Sequence, residues 1–199
     1  WRGRRGLWSS IHDLRTRVLP LLGYRNVAVQ HGREADDLLA AYAESAEGSS
    51  VVVSTDEDLL QVIDETVEVH NPITQLTTTL ASFDLAYGIP PRDWAKVKAI
   101  TGCKSDEVPG LDGVGPASAC RYLRDELPKQ GTRYNRIRKA MRPGGLIRRN
   151  YKLVRLPFPG TEVGPIVPDE VSWEGWNAVC REFGFKTLKF PRSIRGGGR

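Results

Sequence analysis

The chain has 199 residues, a formal net charge of +5 and three cysteines, with 40% hydrophobic and 27% charged residues, the make-up of one large globular domain or two small ones. Its apolar runs are only a few residues long, which excludes a membrane-spanning helix. Widely spaced Cys103, Cys120 and Cys180 exclude a disulfide framework and fit a reducing compartment, and His12, His31 and His70 show no zinc-type spacing. No basic-then-apolar leader opens the chain, and its first residue is Trp1 rather than Met, so a trimmed chain is expected.

Ser9 or Ser10 can cap a first helix in which Ile11, Leu14, Val18 and Leu21 recur at helical spacing; Pro20 disturbs its last turn and Gly23 ends it. Asn26–Gln30 reads as a short strand. Residues 34–47, rich in Ala and Leu, read as a helix. The run Val51-Val52-Val53 predicts a strand buried on both faces. A further helix is expected over 56–63 and a strand over 67–69. Strands alternating with helices predict a parallel α/β sheet. After Pro90-Pro91 the strand signal fades; 94–100 and 117–126 look helical, with a glycine-rich turn between them. The basic, Gly- and Pro-rich stretch 129–164 has no assignable structure, 171–183 is a final helix, and the tail 195–199 reads as disordered.

The charges are segregated. From Glu34 to Arg92 the first Lys or Arg is Arg92 itself, whereas Leu127–Thr161 contains no acid and is crowded with Lys and Arg. An acidic centre between basic flanks suits a protein that holds divalent metal among phosphates. Within the acidic region, Glu34, Asp36 and Asp37 open a helix after one predicted strand, and Asp56, Glu57 and Asp58 follow another. In a parallel sheet both clusters fall at the carboxyl edge, where converging carboxylates repel unless a cation neutralises them; oxygen ligands select Mg²⁺ or Mn²⁺. In the most specific stretch, residues 105–119, Gly113-Val114-Gly115 permits a tight turn and Pro116 suits the first helical position. Backbone N–H groups there, at Ala117 and Ser118, can bind phosphate without reading a base, and the turn's carbonyls could hold K⁺.

These motifs resemble the 5′ nucleases: flap endonucleases, phage 5′→3′ exonucleases and the 5′-nuclease domain of bacterial DNA polymerase I. Gly32-Arg-Glu-Ala-Asp-Asp37 resembles the family's Gly-x-Glu-Ala-Asp-Asp helix start. Ser54-Thr-Asp-Glu-Asp-Leu-Leu-Gln61 is similar to its strand-end motif, and Gly102–Ala119 to its helix–turn–helix DNA clamp. Phe183-Gly-Phe-Lys-Thr-Leu188 and Trp1-Arg-Gly-Arg-Arg5 are similar to further family elements. The resemblance implies a PIN-like sheet flanked by helices over 1–91, with its start missing, followed by a helical DNA-binding region over 92–199 with a helix-hairpin-helix-like clamp. It implies two Mg²⁺ or Mn²⁺ ions held by Glu34, Asp36, Asp37, Asp56, Asp58 and Asp106, with Arg2 and Arg5 acting on phosphate. It also implies a duplex grip through Gly113, Val114, Gly115, Ala117, Ser118 and Arg121. Expected partners are 5′-flapped, nicked or branched DNA and a DNA polymerase, with a monomeric protein in the cytoplasm of a bacterial or phage-infected cell.

Two departures stand out. Cys103 replaces a family Asp three residues before Asp106, and a soft thiol is a poor Mg²⁺ ligand. The family's first Asp-bearing strand and a later one precede the segment present here, so this piece alone is expected to have reduced or no activity. Two other readings compete: a PIN-like ribonuclease, disfavoured by the glycine turn and the long basic region, and a non-catalytic DNA-structure-binding protein with a degraded site.

Overall fold

The computed structural model describes residues 2–103 and 106–190, with side chains from Gly6 onward. The chain forms two compact units, one of residues 1–29 with 164–199, the other of residues 30–163.

In the first unit, α1 (Arg2–Asp13) runs through a π-helical stretch, Leu14–Val18, into α2 (Leu19–Leu22), which ends on Gly23 at φ +102°. The helix thus begins before Ser9–Ser10; the Ser10 hydroxyl donates within it to Gly6 O at 2.9 Å. The predicted strand at Asn26–Gln30 is not a strand. Instead the Asn26 side chain donates to Val167 O (2.7 Å) and accepts from Val167 N (3.0 Å). The facing segment carries Pro165 and Pro168, which lack the N–H groups a ladder needs. The last helix, capped by Ser172, packs on α2 so closely that a Cβ on Gly175 would lie 2.3 Å from Leu21 O.

The second unit holds a three-stranded sheet: β1 (Ser50–Val53), β2 (Val67–Asn71) and β3 (Leu76–Thr78), in that order. β1 and β2 are parallel, from Ser50 opposite Val67 to Val53 opposite His70, whereas β3 is antiparallel to β2. The sheet is therefore mixed rather than parallel. A tight turn after Asn71, whose side chain accepts from Ile73 N and Thr74 N, reverses the chain without a crossover. β1 is an edge strand with one buried face: Val52 is 6% exposed, Val51 58% and Val53 56%. The expectation of burial on both faces fails because the described elements cover only one side.

Around the sheet lie α3 (Ala35–Ser45), a 3₁₀ helix (Glu57–Val62), α4 (Leu80–Tyr87), α5 (Trp94–Thr101), α6 (Pro116–Leu123), α7 (Thr132–Ala140) and α8 (Leu146–Val154); the C-terminal helix of the first unit is α9 (Trp173–Glu182). Helix α5 is the centre of the second unit. Trp94, Ala95, Val97, Ala99 and Ile100 are buried, and Trp94 Nε1 donates to Glu57 O at 2.8 Å, fixing α5 to the 3₁₀ helix. Leu59, Val67, Phe83, Val97, Ile100 and Ile137 belong to one core. That core runs across residues 91–92, so the division of roles expected there is not a division of packing. Among the described residues no helix is long and apolar enough to cross a membrane.

Candidate active site

Three chain segments bring carboxylates to one cavity. The first is the start of α3, which is reached from an irregular segment rather than from the predicted strand. Asp37 Oδ2 accepts from Glu34 N at 3.3 Å, closing the first turn, and Asp36 Oδ1 accepts from Asp37 N at 2.8 Å. The second follows β1. Asp56 caps the 3₁₀ helix, its Oδ1 accepting from Asp58 N at 2.8 Å, and that turn carries Asp58 inward to 6% exposure. In the third, an antiparallel bridge joins Cys103 and Val108 (N···O 3.0 and 2.9 Å). It folds the chain back so that Asp106 stands beside Cys103. Gly102 and Gly110 permit this fold: a Cβ on Gly110 would lie 1.8 Å from Thr101 O, and one on Gly102 2.4 Å from Gly110 N.

Glu34, Asp36, Asp37, Asp58 and Asp106 all line a cavity of about 330 Å³. Asp56 is exposed, serves as a cap and does not line it. Of the two predicted basic catalytic residues, Arg2 and Arg5, the side chains lie outside the described residues.

Burial pushes the Asp58 carboxyl above the ordinary Asp range; Lys98 pulls the other way, and Asp56 and Asp106 add repulsion. Lys98 Nζ lies 2.7 Å from Asp58 Oδ1. This charge-assisted contact is the partner of the buried Asp58 oxygen. For Lys98, burial acts to lower the pKa, but the attraction of Asp58 prevails and raises it. Asp36 is likewise raised, first by burial, then by Asp37, Glu34 and Asp56, although the Asp37 N–H opposes the shift. A crowd of carboxylates, two of them destabilised in the charged form, fits a divalent cation with oxygen ligands.

The rim of the cavity is braced by the chain after α8. Asp37 Oδ1 accepts from Phe158 N at 2.7 Å. Gln61 donates to Asp58 O (2.7 Å) and Val154 O (3.1 Å), and its Oε1 accepts from Leu156 N (2.9 Å). The intervening Leu156–Pro157 peptide is cis. Arg33 lies over the Phe158 ring at 5.0 Å and donates to Pro159 O at 2.9 Å.

The glycine turn joins α5 to α6. Gly113 adopts φ +72°, Val114 is buried, and α6 begins at Pro116 with no side-chain cap, so no side chain caps its first N–H groups. Ala117 and Arg121 are exposed and Ser118 is half-buried. Helix α7 reaches back to the turn: Arg136 Nη1 donates to Asp112 O (2.7 Å) and Arg133 Nε to Gly113 O (3.0 Å). Asn150 of α8, fully buried, donates to Ala99 O (3.0 Å) and Pro109 O (2.7 Å). The exposed basic side chains of α7 and α8, among them Arg138, Lys139, Arg148, Arg149 and Lys152, leave this part of the unit strongly positive.

Sequence reasoning did not single out Lys98; it met Gln61 only as the end of the strand-end motif, and Arg133 and Arg136 only as members of the basic run. Lys98 carries a signal, a lysine between Val97 and Ala99 in a helix of buried residues. For the other three, most partners are backbone groups distant in sequence, which no local pattern marks.

No family model matches the chain. It is 40% identical over 96 residues to the 5′–3′ exonuclease of Aquifex aeolicus, a match covering 47% of this chain and 33% of that protein. It is 36% identical over 111 residues to the thermostable DNA polymerase I of Thermus aquaticus, covering 54% of this chain and 13% of that one, and 30% identical over 116 residues to DNA polymerase I of Rhizobium leguminosarum, covering 54% and 11%. The chain thus spans a third or less of the length of these relatives. In fold it is similar to the 5′-exonuclease of bacteriophage T5 with bound zinc (TM-score 0.55, 22% identity, 64% of this chain and 52% of that one). The T5 flap endonuclease in a pseudo-enzyme–product complex with DNA and metal ions is similar to the same degree (TM-score 0.55, 21% identity). Over about half its length the chain is thus similar in sequence to a bacterial 5′–3′ exonuclease and to DNA polymerases I, and in fold to the T5 5′-exonuclease.

Proposed function

We propose that this chain is the metal-binding and DNA-binding part of a metal-dependent 5′→3′ exonuclease or structure-specific 5′-flap endonuclease that hydrolyses DNA phosphodiester bonds in replication or repair. The convergence of Glu34, Asp36, Asp37, Asp58 and Asp106 on one cavity carries the proposal. The basic surface of α7 and α8 within the same compact unit supports it, as do the relatives named 5′–3′ exonuclease and DNA polymerase I.

Asp36, Asp37, Asp58 and Asp106 would hold two divalent cations, with Mg²⁺ or Mn²⁺ at the carboxylates of α3 and Glu34 and Asp56 acting through water. Bound metal supplies Lewis-acid stabilisation of phosphate charge and a more acidic water. The chain's own groups set the stage. Lys98 offsets part of the charge on Asp58, and Asp37 and Gln61 fix the rim through Phe158 and Leu156. Arg2 and Arg5 would neutralise the substrate phosphate. The turn Gly113–Gly115, the N–H groups of Ala117 and Ser118, and Arg121 would grip duplex phosphates. Such recognition reads DNA shape and weakens with salt. The partners that fit are 5′-flapped, nicked or branched DNA and a DNA polymerase, met in the cytoplasm by a monomer.

The test is cleavage of a 5′-flapped duplex with Mg²⁺ and with Mn²⁺, beside an Asp36→Asn, Asp58→Asn variant, with DNA affinity followed by fluorescence anisotropy. Cleavage by this chain is expected to be weak or absent, so the deciding readout is Mn²⁺ binding, which the variant should lose. Salt-sensitive DNA binding with no Mn²⁺ binding would sink the nuclease reading and leave a DNA-structure-binding protein, a reading that Cys103 favours.

A further inference from the structure

Asp58, Cys103 and Asp106 each offer one ligand atom, and these three atoms lie within 4.8 Å of one another. The set is a sulfur with two carboxylate oxygens. Two separate features bring the three together: the 3₁₀ turn that Asp56 caps carries Asp58, and the bridge between Cys103 and Val108 carries Cys103 and Asp106. Asp58 is 6% exposed and lines the cavity, its Oδ1 ion-paired with Lys98. Mg²⁺ takes an all-oxygen octahedron and gains little from sulfur, whereas Zn²⁺, Co²⁺ and Cd²⁺ bind thiolate well and accept mixed sulfur–oxygen sets of low coordination number.

We propose that Asp58, Cys103 and Asp106 form a mixed thiolate–carboxylate position that selects a thiophilic divalent cation over Mg²⁺, beside an all-carboxylate position at the start of α3. The proposal rests on the reading of the cavity as a metal site and adds to it that the two positions differ in metal preference. On binding, the Cys103 Sγ–H bond breaks, a sulfur–metal bond forms, and the proton passes to solvent. The ammonium of Lys98, 2.7 Å from Asp58 Oδ1, is the cation the incoming ion must share that carboxylate with. The position therefore takes a cation that a sulfur can hold, and Mg²⁺ competes for it poorly.

The metal-free chain is titrated with Co²⁺ and with Cd²⁺, and the sulfur-to-metal charge-transfer absorption is followed. The expected result is a saturable band at one equivalent, absent in Cys103→Ser, weakened in Asp58→Asn, and resistant to excess Mg²⁺. Cys103→Asp should lose the band and gain Mg²⁺ affinity. Cys120, buried in the core, and Cys180, in the other compact unit, remain in all three variants as internal controls, and circular dichroism verifies the variants' folding. A band that survives Cys103→Ser, or that equimolar Mg²⁺ abolishes, overturns the proposal. So does the absence of a band while Mn²⁺ still binds the carboxylates; in that case the metal-site reading stands and this inference falls. Absence of all metal binding sinks both.

Discussion

Burial raises the carboxyl groups of Asp58 and Asp36, so folding without metal places charge where it is disfavoured. A carboxyl whose folded pKa lies above its unfolded value near ~3.9 binds its proton more tightly in the native state. Its effect is absent below the unfolded pKa and grows into a loss of stability as pH rises through the folded one. The metal-free protein should therefore lose thermal stability as pH rises above the ordinary carboxylate range, and Asp58→Asn should flatten that slope. Mn²⁺ should raise the melting temperature most near neutrality and progressively less towards acid pH. Thermal melts across that range, with and without metal, check all three outcomes; a metal-free melting temperature that climbs with pH would contradict them. Asp37 behaves differently from its neighbours in sequence. Both its oxygens accept backbone N–H groups, from Glu34 and Phe158, so Asp37→Asn should loosen the rim as well as weaken metal binding.

Helix α8 shows how an element can matter more than its sequence suggests. Asn150→Leu would remove the donors to Ala99 O and Pro109 O and leave two carbonyls unsatisfied. We expect a loss of about 2–3 kcal/mol in chemical denaturation, and weaker metal binding because Pro109 belongs to the loop that carries Asp106. At the glycine turn, Arg133 and Arg136 already occupy the carbonyls of Gly113 and Asp112 that a monovalent ion would use. DNA affinity at fixed ionic strength should therefore be the same in K⁺ and Na⁺, and Arg136→Gln should weaken it; a marked preference for K⁺ in the unaltered protein would count against this. Elements marked by local chemistry were legible in the sequence: α5, α6 and α9 by apolar spacing and caps, β1 and β2 by their valines, and the acids by clustering at helix starts. What escaped depends on distant partners. Helix α8 hides because a buried polar residue, Asn150, sits between Ile147 and Val154 on its inner face. α7 hides because its sequence is mostly basic and polar, with Ile137 its one buried residue. The failed strand at Asn26–Gln30 has adequate valines, but its neighbour in the fold has prolines.

At the scale of the whole molecule, the acidic cavity, the glycine turn and the basic helices α7 and α8 all belong to residues 30–163. That segment carries its own core. Expressed alone, it should give a cooperative melt and keep Mn²⁺ binding, as circular dichroism and calorimetry would show; loss of either would mean that the first unit takes part in holding the site. The outer strand of the sheet has a separate bearing on handling. Among the described residues β1 pairs on one side only, and Val51 and Val53 stand more than half exposed along it. Short, uncharged, β-branched and open-edged, it is a template on which another extended chain can add. Concentrated samples should thus self-associate through this edge, and a lysine at position 53 should keep them dispersed without touching a single carboxylate.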